Sequence, residues 1–230
     1  MKEIFASLWH LFFPHRCVVC GSPVTAGEEE LCYRCNIDLP RTGFRDPNDN
    51  PVARMFWGKM PIVRATSYFY YDKGSLFRNI LYRLKYEGQK ELGAVMGRFL
   101  AAELQPSGFF DGIDVILPVP LHRHKLQTRG YNQSEWIARG IAEITALPID
   151  TEIIVREKNN ETQTHRSGLD RWHNVDHIFK LRHPERVAGK HVLIVDDVIT
   201  TGSTATACAD TLHEVEGIHI SVLTLATVRA

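Results

Sequence analysis

The string VLIVDDVITTGST, Val192–Thr204, constrains the fold of this chain more than any other stretch. Four consecutive apolar residues without alternation describe a strand buried on both faces, as in sheets covered by helices on both sides. Two adjacent carboxylates, Asp196 and Asp197, follow at once, so the strand is expected over His191–Val195, ending at the sheet's C-terminal edge. Thr200, Thr201, Gly202, Ser203 and Thr204 then lead into a helix predicted over Ser203–His213. Strand, short polar turn and helix form the unit from which parallel α/β sheets are built.

The preceding sequence alternates in the same way. Val63–Tyr71, rich in aromatics, reads as a strand. Ser75–Tyr86 reads as a helix, with Leu76, Ile80 and Leu84 spaced by four and Gly88 placed to end it. Glu91–Leu104 is a second helix and Ile113–Val119 a short apolar strand. Asn132–Leu147 is a helix opened by a capping-box pattern, Asn132 with Glu135. Strands are expected at Ile149–Val155 and Ile218–Ala226. The fold class is therefore α/β, a mostly parallel sheet flanked by helices over residues 56–230. Residues 43–55, within a run of Gly, Pro, Asn and Asp, read as a linker. Residues 1–42 hold an N-terminal helix and a small cysteine module. In such sheets ligands sit outside the C-terminal strand ends, which directs attention to the loops after Val119 and Val195.

The second of these loops has the chemistry of a phosphate site. Gly202 lets the backbone curl so that successive N–H groups point at one centre. The helix N-terminus adds partial positive charge, and the hydroxyls of Thr200, Thr201, Ser203 and Thr204 add donors. Asp196 and Asp197 lie about a ribose away, where they can accept from sugar hydroxyls and face a cationic, oxocarbenium-like ribose as its anomeric bond breaks. The loop after Val119 is basic. His122, Arg123, Lys125 and Arg129 come with no acid among them and could hold a pyrophosphate, a nucleic acid, or only water.

Cys17-x-x-Cys20 and Cys32-x-x-Cys35 are eleven residues apart, a spacing that suits two knuckles closing a tetrahedral, structural Zn²⁺ site. Such cysteine usage points to a reducing compartment. Cys208 reads as a small buried hydrophobe. The N-terminal run Ile4–Phe13 lacks a cleavage site and reads as a short amphipathic helix on the module rather than an export signal. His165, His173, His177 and His183 match no ligand spacing and read as a solvated segment. Tyr68, Phe69, Tyr70 and Tyr71 read as packing residues rather than a base-stacking surface. Lys+Arg and Asp+Glu both number 27, so anion binding has to come from a local patch.

The string Val192–Thr204 closely resembles the phosphoribosyl pyrophosphate signature of type I phosphoribosyltransferases. Four further segments, in order along the chain, resemble the ComF family, the competence-associated branch of that fold. They are the four-cysteine N-terminus, LKYEGQ (Leu84–Gln89), PVPLHRHKLQTRGYNQ (Pro118–Gln133) and QTHRSGLDRWHNV (Gln163–Val175). The resemblance implies that Asp196 and Asp197 hold the ribose hydroxyls, that Thr200–Thr204 hold the 5′-phosphate, and that Mg²⁺ arrives on the pyrophosphate. It also implies single-stranded DNA and other competence proteins as partners, in the cytoplasm and at the inner face of the membrane. Gln163, Arg171 and Asn174 match family positions without an evident role. Two alternatives stay open: a nucleobase salvage phosphoribosyltransferase, for which no base-binding hood is evident, and a non-catalytic sensor of the sugar phosphate. Whether the chain is an enzyme, and for which acceptor, is open as well. Lacking a hood, the chain is expected to place its cysteine module over the Val195 loop instead.

Overall fold

A computed structural model of the chain describes residues 15–25, 27–157 and 178–229. Its centre is a parallel four-stranded sheet of β1 (Arg64–Tyr71), β2 (Val115–Pro118), β5 (His191–Ile199) and β6 (His219–Val228), in the order β1-β6-β5-β2. Val192–Val195 of β5 are fully buried, as an unbroken apolar run demands.

Helices cover both faces. On one lie α3 (Arg78–Tyr86), α4 (Glu91–Leu104) and α6 (Gln133–Thr145), whose Ile80, Leu84, Leu92, Met96, Ile137 and Ile141 pack on Leu193, Val195 and Leu223. On the other, α7 (Ser203–Leu212) packs Ala205, Cys208, Ala209 and Leu212 against Val192, Ile194, Ile220 and Val222. Cys208 is fully buried, and burial pushes its thiol well up, so it packs as a hydrophobe.

Ile149 makes a single parallel bridge to Ile116 of β2, after which the chain turns away from the sheet. The strand expected over Ile149–Val155 is instead β3 (Ile154–Arg156), paired antiparallel with β4 (Phe179–Leu181) as a separate ribbon. The stretch 43–55, expected as a linker, is packed in place. Tyr70 and Ala65 of β1 donate backbone bonds to Pro40 and Pro47, and Thr42 donates to Tyr68. Asn50 is buried, caps α2 (Pro51–Arg54) through Val52 and Ala53, and donates to the Ala65 carbonyl. The turn-forming residues are there, but their backbone groups are satisfied by β1 rather than by water.

Among the described residues, no helix is long and apolar enough to cross a membrane.

Candidate functional site

β5 does not stop at Val195. β6 lies beside it to Thr227, so backbone partners are available, and the strand continues through both carboxylates to Ile199. Successive side chains of a strand leave it on opposite sides, and the two acids part accordingly. Asp197 is 3% exposed and forms an ion pair with Lys85 of α3, Nζ to Oδ1 2.9 Å, while its Oδ2 is buried without a hydrogen-bond partner. Asp196 accepts from Ser134 Oγ at 2.9 Å and from the backbone N–H of Asp197 at 2.9 Å. Burial, then the neighbouring charge of Asp197, push the Asp196 carboxyl up to about 7.

Asp196 lines a pocket of about 30 Å³ with Thr200, Gly202, Ser203 and Thr204. Gly202, at φ 79°, turns the chain into α7 in a conformation that a side chain would strain. Its carbonyl already accepts the first helical bond, from Thr206 at 2.8 Å. The hydroxyl of Thr201 donates to Ser203 Oγ at 3.1 Å. The Ser203 N–H reaches Thr201 Oγ1 at 3.5 Å, while the N–H groups that follow it in the first helical turn have no intrahelical acceptor and lie beside a carboxylate. Thr201 does not line the pocket, and neither does Asp197.

The basic stretch after β2 is not a loop but a helix, α5 (Arg123–Arg129), capped by His122 at its start and by Gly130 at its end. It buries no residue, so no apolar periodicity announced it. Its cations part company. His122 and Arg123 line a cleft of about 570 Å³ whose far wall, from the β3–β4 ribbon, supplies Arg156 and Arg182. Arg129 instead bonds Gln133 and lies 5.4 Å above the ring of Tyr86. Arg156 is partly buried against Phe179, its Nε without a partner; burial lowers its pKa, and the charge of Asp196 opposes that shift. The RGYNQ segment is mainly structural. Tyr131 donates its hydroxyl to the Leu84 carbonyl, and Asn132 donates to the Val119 carbonyl while capping α6 through Ser134. Glu135, expected to reach back to that cap, pairs with Arg139 instead.

The four N-terminal cysteines converge, their sulfur atoms all within 4.8 Å of one another. Cys20 Sγ and Cys32 Sγ are 3.7 Å apart, far beyond a disulfide bond and close to the edge of a tetrahedron with metal–sulfur bonds of about 2.3 Å. In the first knuckle, Gly21 donates to the Cys17 carbonyl; in the second, Cys35 N–H points at Cys32 Sγ at the start of α1 (Tyr33–Ile37). The set could hold a metal ion, and its chemistry fits zinc.

Residues 92–230 match the family model described as the phosphoribosyl transferase domain. A curated protein of Shigella flexneri, "DNA utilization protein YhgH", is 30% identical over 88% of this chain and 92% of its own length. "Competence protein F" of Haemophilus influenzae is 26% identical over 94% of this chain and 98% of its own, and "Competence protein ComFC" of Bacillus subtilis 24% identical over 94% and 78%. The chain belongs to the ComF family.

Several residues of this ComF site escape a reading of sequence alone. Lys85 falls within LKYEGQ, but its partner Asp197 is more than a hundred residues away and only the fold joins them. Ser134 looks like an ordinary first-turn serine until α6 is seen beside Asp196. The cysteine module packs on α3 and α4, through Asn79 to the Val19 carbonyl and Arg98 to Glu29, and lines none of the pockets around Asp196, Thr200 or His122. The expectation that it covers the Val195 loop in place of a hood is therefore corrected: its apolar residues Val18, Val19, Leu31 and Leu39 belong to the helical core. Gln163, Arg171, Asn174, His165, His173 and His177, and the N-terminal helix, lie outside the described residues.

Proposed function

We propose that this ComF protein binds phosphoribosyl pyrophosphate with Mg²⁺ and acts on, or alongside, single-stranded DNA in the cytoplasm. The observation that carries this reading is the pocket shared by Asp196 and the turn Thr200–Thr204. A sugar 5′-phosphate takes the donors of the turn, and the ribose hydroxyls donate to Asp196. Asp197, held by Lys85, keeps a second carboxylate close and has a buried oxygen still to be satisfied. Positive charge developing on the ribose as its bond to pyrophosphate lengthens would be met by these acids. The cleft bordered by His122, Arg123, Arg156 and Arg182, with Glu135 and Glu157 also in its lining, suits the pyrophosphate and its Mg²⁺. Zinc at Cys17, Cys20, Cys32 and Cys35 has a structural role, since four thiolates leave no open coordination position. The names of the relatives, with their competence and DNA utilization, support the DNA half of the reading.

Calorimetric titration with phosphoribosyl pyrophosphate and Mg²⁺ tests the ligand. Asp196→Asn with Asp197→Asn is expected to weaken binding by about 1.5–3 kcal/mol, the charge-assisted bond of the sugar to Asp196 being lost. Unchanged affinity would mean that Asp196 does not touch the sugar. Fluorescence anisotropy with a labelled single strand at low salt, where phosphate contacts are strongest, tests the partner. No binding there removes the DNA half.

A further inference from the structure

Two large aromatic side chains stand in solvent beside the site. Tyr82 and Tyr86, one turn apart on α3, are 53% and 67% exposed, with ring centroids 5.3 Å apart and planes tilted by 46°. Neither belongs to the core that Ile80, Leu81 and Leu84 of the same helix build. They border a pocket of about 220 Å³ whose other walls include Arg78, Lys85, Val198 and Thr200. Arg129 lies over the outer ring, Tyr86. Val198 and Thr200 line both this pocket and the candidate phosphate pocket, and Lys85 holds Asp197, so this pocket adjoins the proposed sugar site.

We infer that Tyr82 and Tyr86 form a stacking platform for an unpaired base of a single-stranded nucleic acid, with Arg78 and Arg129 on its flanking phosphates. This rests on the reading above that the chain meets single-stranded DNA. The pocket's composition selects the occupant. Its lining residues include no Asp, Glu, Asn or Gln, so the amide and carboxylate contacts that read adenine and cytosine edges are absent from the lining. Exposed rings interleaved with cations instead grip any base by its face and the backbone by its charge. In a duplex the faces of the bases are already stacked, so the platform takes a single strand. With no net charge on the whole chain, attraction of a polyanion has to come from local patches, and Arg78 and Arg129 beside the two rings form one of them.

Three arms of one anisotropy experiment, all on the full chain, decide it. The probes are a labelled twenty-residue oligothymidylate and an abasic strand of equal length and charge. Tyr82→Ala with Tyr86→Ala is expected to bind the oligothymidylate about ten- to a hundredfold more weakly, and the abasic strand as wild type does. Tyr82→Phe with Tyr86→Phe, which keeps both rings, should bind both probes as wild type does, separating stacking from loss of the hydroxyls. Calorimetry with phosphoribosyl pyrophosphate on the alanine variant should give the wild-type affinity and shows that the fold is intact. If the alanine variant keeps wild-type affinity for oligothymidylate, the platform is refuted while the DNA reading stands. Equal losses on both probes refute stacking. If wild type binds neither strand but its tyrosine fluorescence responds to free adenine or uracil, both the platform's occupant and the DNA reading fail together.

Discussion

The Asp196 carboxyl, accepting from Ser134 and flanked by Asp197, is pushed from an ordinary 3.8 up to about 7, chiefly by burial. Between those two values the folded chain holds a proton that the unfolded chain has released. Stability therefore falls as pH rises from about 4 to about 7, and then levels off. Asp196→Asn keeps an acceptor for Ser134 and for the Asp197 N–H but carries no charge to desolvate. The variant should melt higher than wild type at pH 8, by about 3 °C or more, and close to wild type at pH 4. Thermal denaturation at pH 4, 6 and 8 checks this, and a gap that does not grow with pH contradicts it. The same variant should bind phosphoribosyl pyrophosphate poorly, so the residue would be kept for the ligand at the expense of the fold.

Ser134 and Asn132 reach the site because α6 is pressed onto α4, and glycines set how closely. A Cβ on Gly140 would come within 2.0 Å of the Ala94 carbonyl oxygen, and one on Gly97 within 2.2 Å of the Ile137 carbonyl oxygen. Backbone atoms cannot give way as a flexible side chain can. Gly140→Ala should therefore cost about 1–3 kcal/mol, seen in denaturant unfolding, and loosen phosphoribosyl pyrophosphate binding by displacing the first turn of α6. A variant as stable as wild type would mean that the helices part without cost. This close seam was not legible in the sequence, although α4 itself was predicted over the observed Glu91–Leu104. Elements with a long apolar stripe announce themselves; α5, with Leu126 as its one large apolar residue, does not. The overrun of β5 was hidden for another reason. Charge at Asp196 and Asp197 reads as a strand end, but β6 pairs with the backbone that follows and Lys85 with one oxygen of the buried acid. The candidate turn Thr200–Thr204 was readable because its chemistry is local; the partners Lys85, Ser134 and Arg156 were not, because only topology delivers them.

The cysteine module is not a satellite on a tether. Val18, Val19, Leu31 and Leu39 share one apolar cluster with Phe69, Ile80, Leu84 and Leu92. Arg41 bonds Asn36 of the module and Glu103 of α4 at once, and Arg98 joins Glu29 to Glu143 of α6. A segment this short has little core of its own, so metal holding four thiolates together would fix the surface against which α3 and α4 pack. Because α3 carries Lys85 and both exposed tyrosines, loss of metal should be felt at the ligand sites although the module lines neither. On this argument, stripping zinc with a strong chelator, or replacing Cys32 by Ser, lowers the melting temperature of the whole chain in a single transition. Affinity for oligothymidylate should fall with it, and returning zinc to the chelated protein should restore both. Scanning calorimetry with colorimetric titration of released zinc follows the metal and the fold together. Two separate transitions, or a main transition unmoved after one equivalent of zinc has left, would show that the module folds on its own account and that α3 does not depend on it.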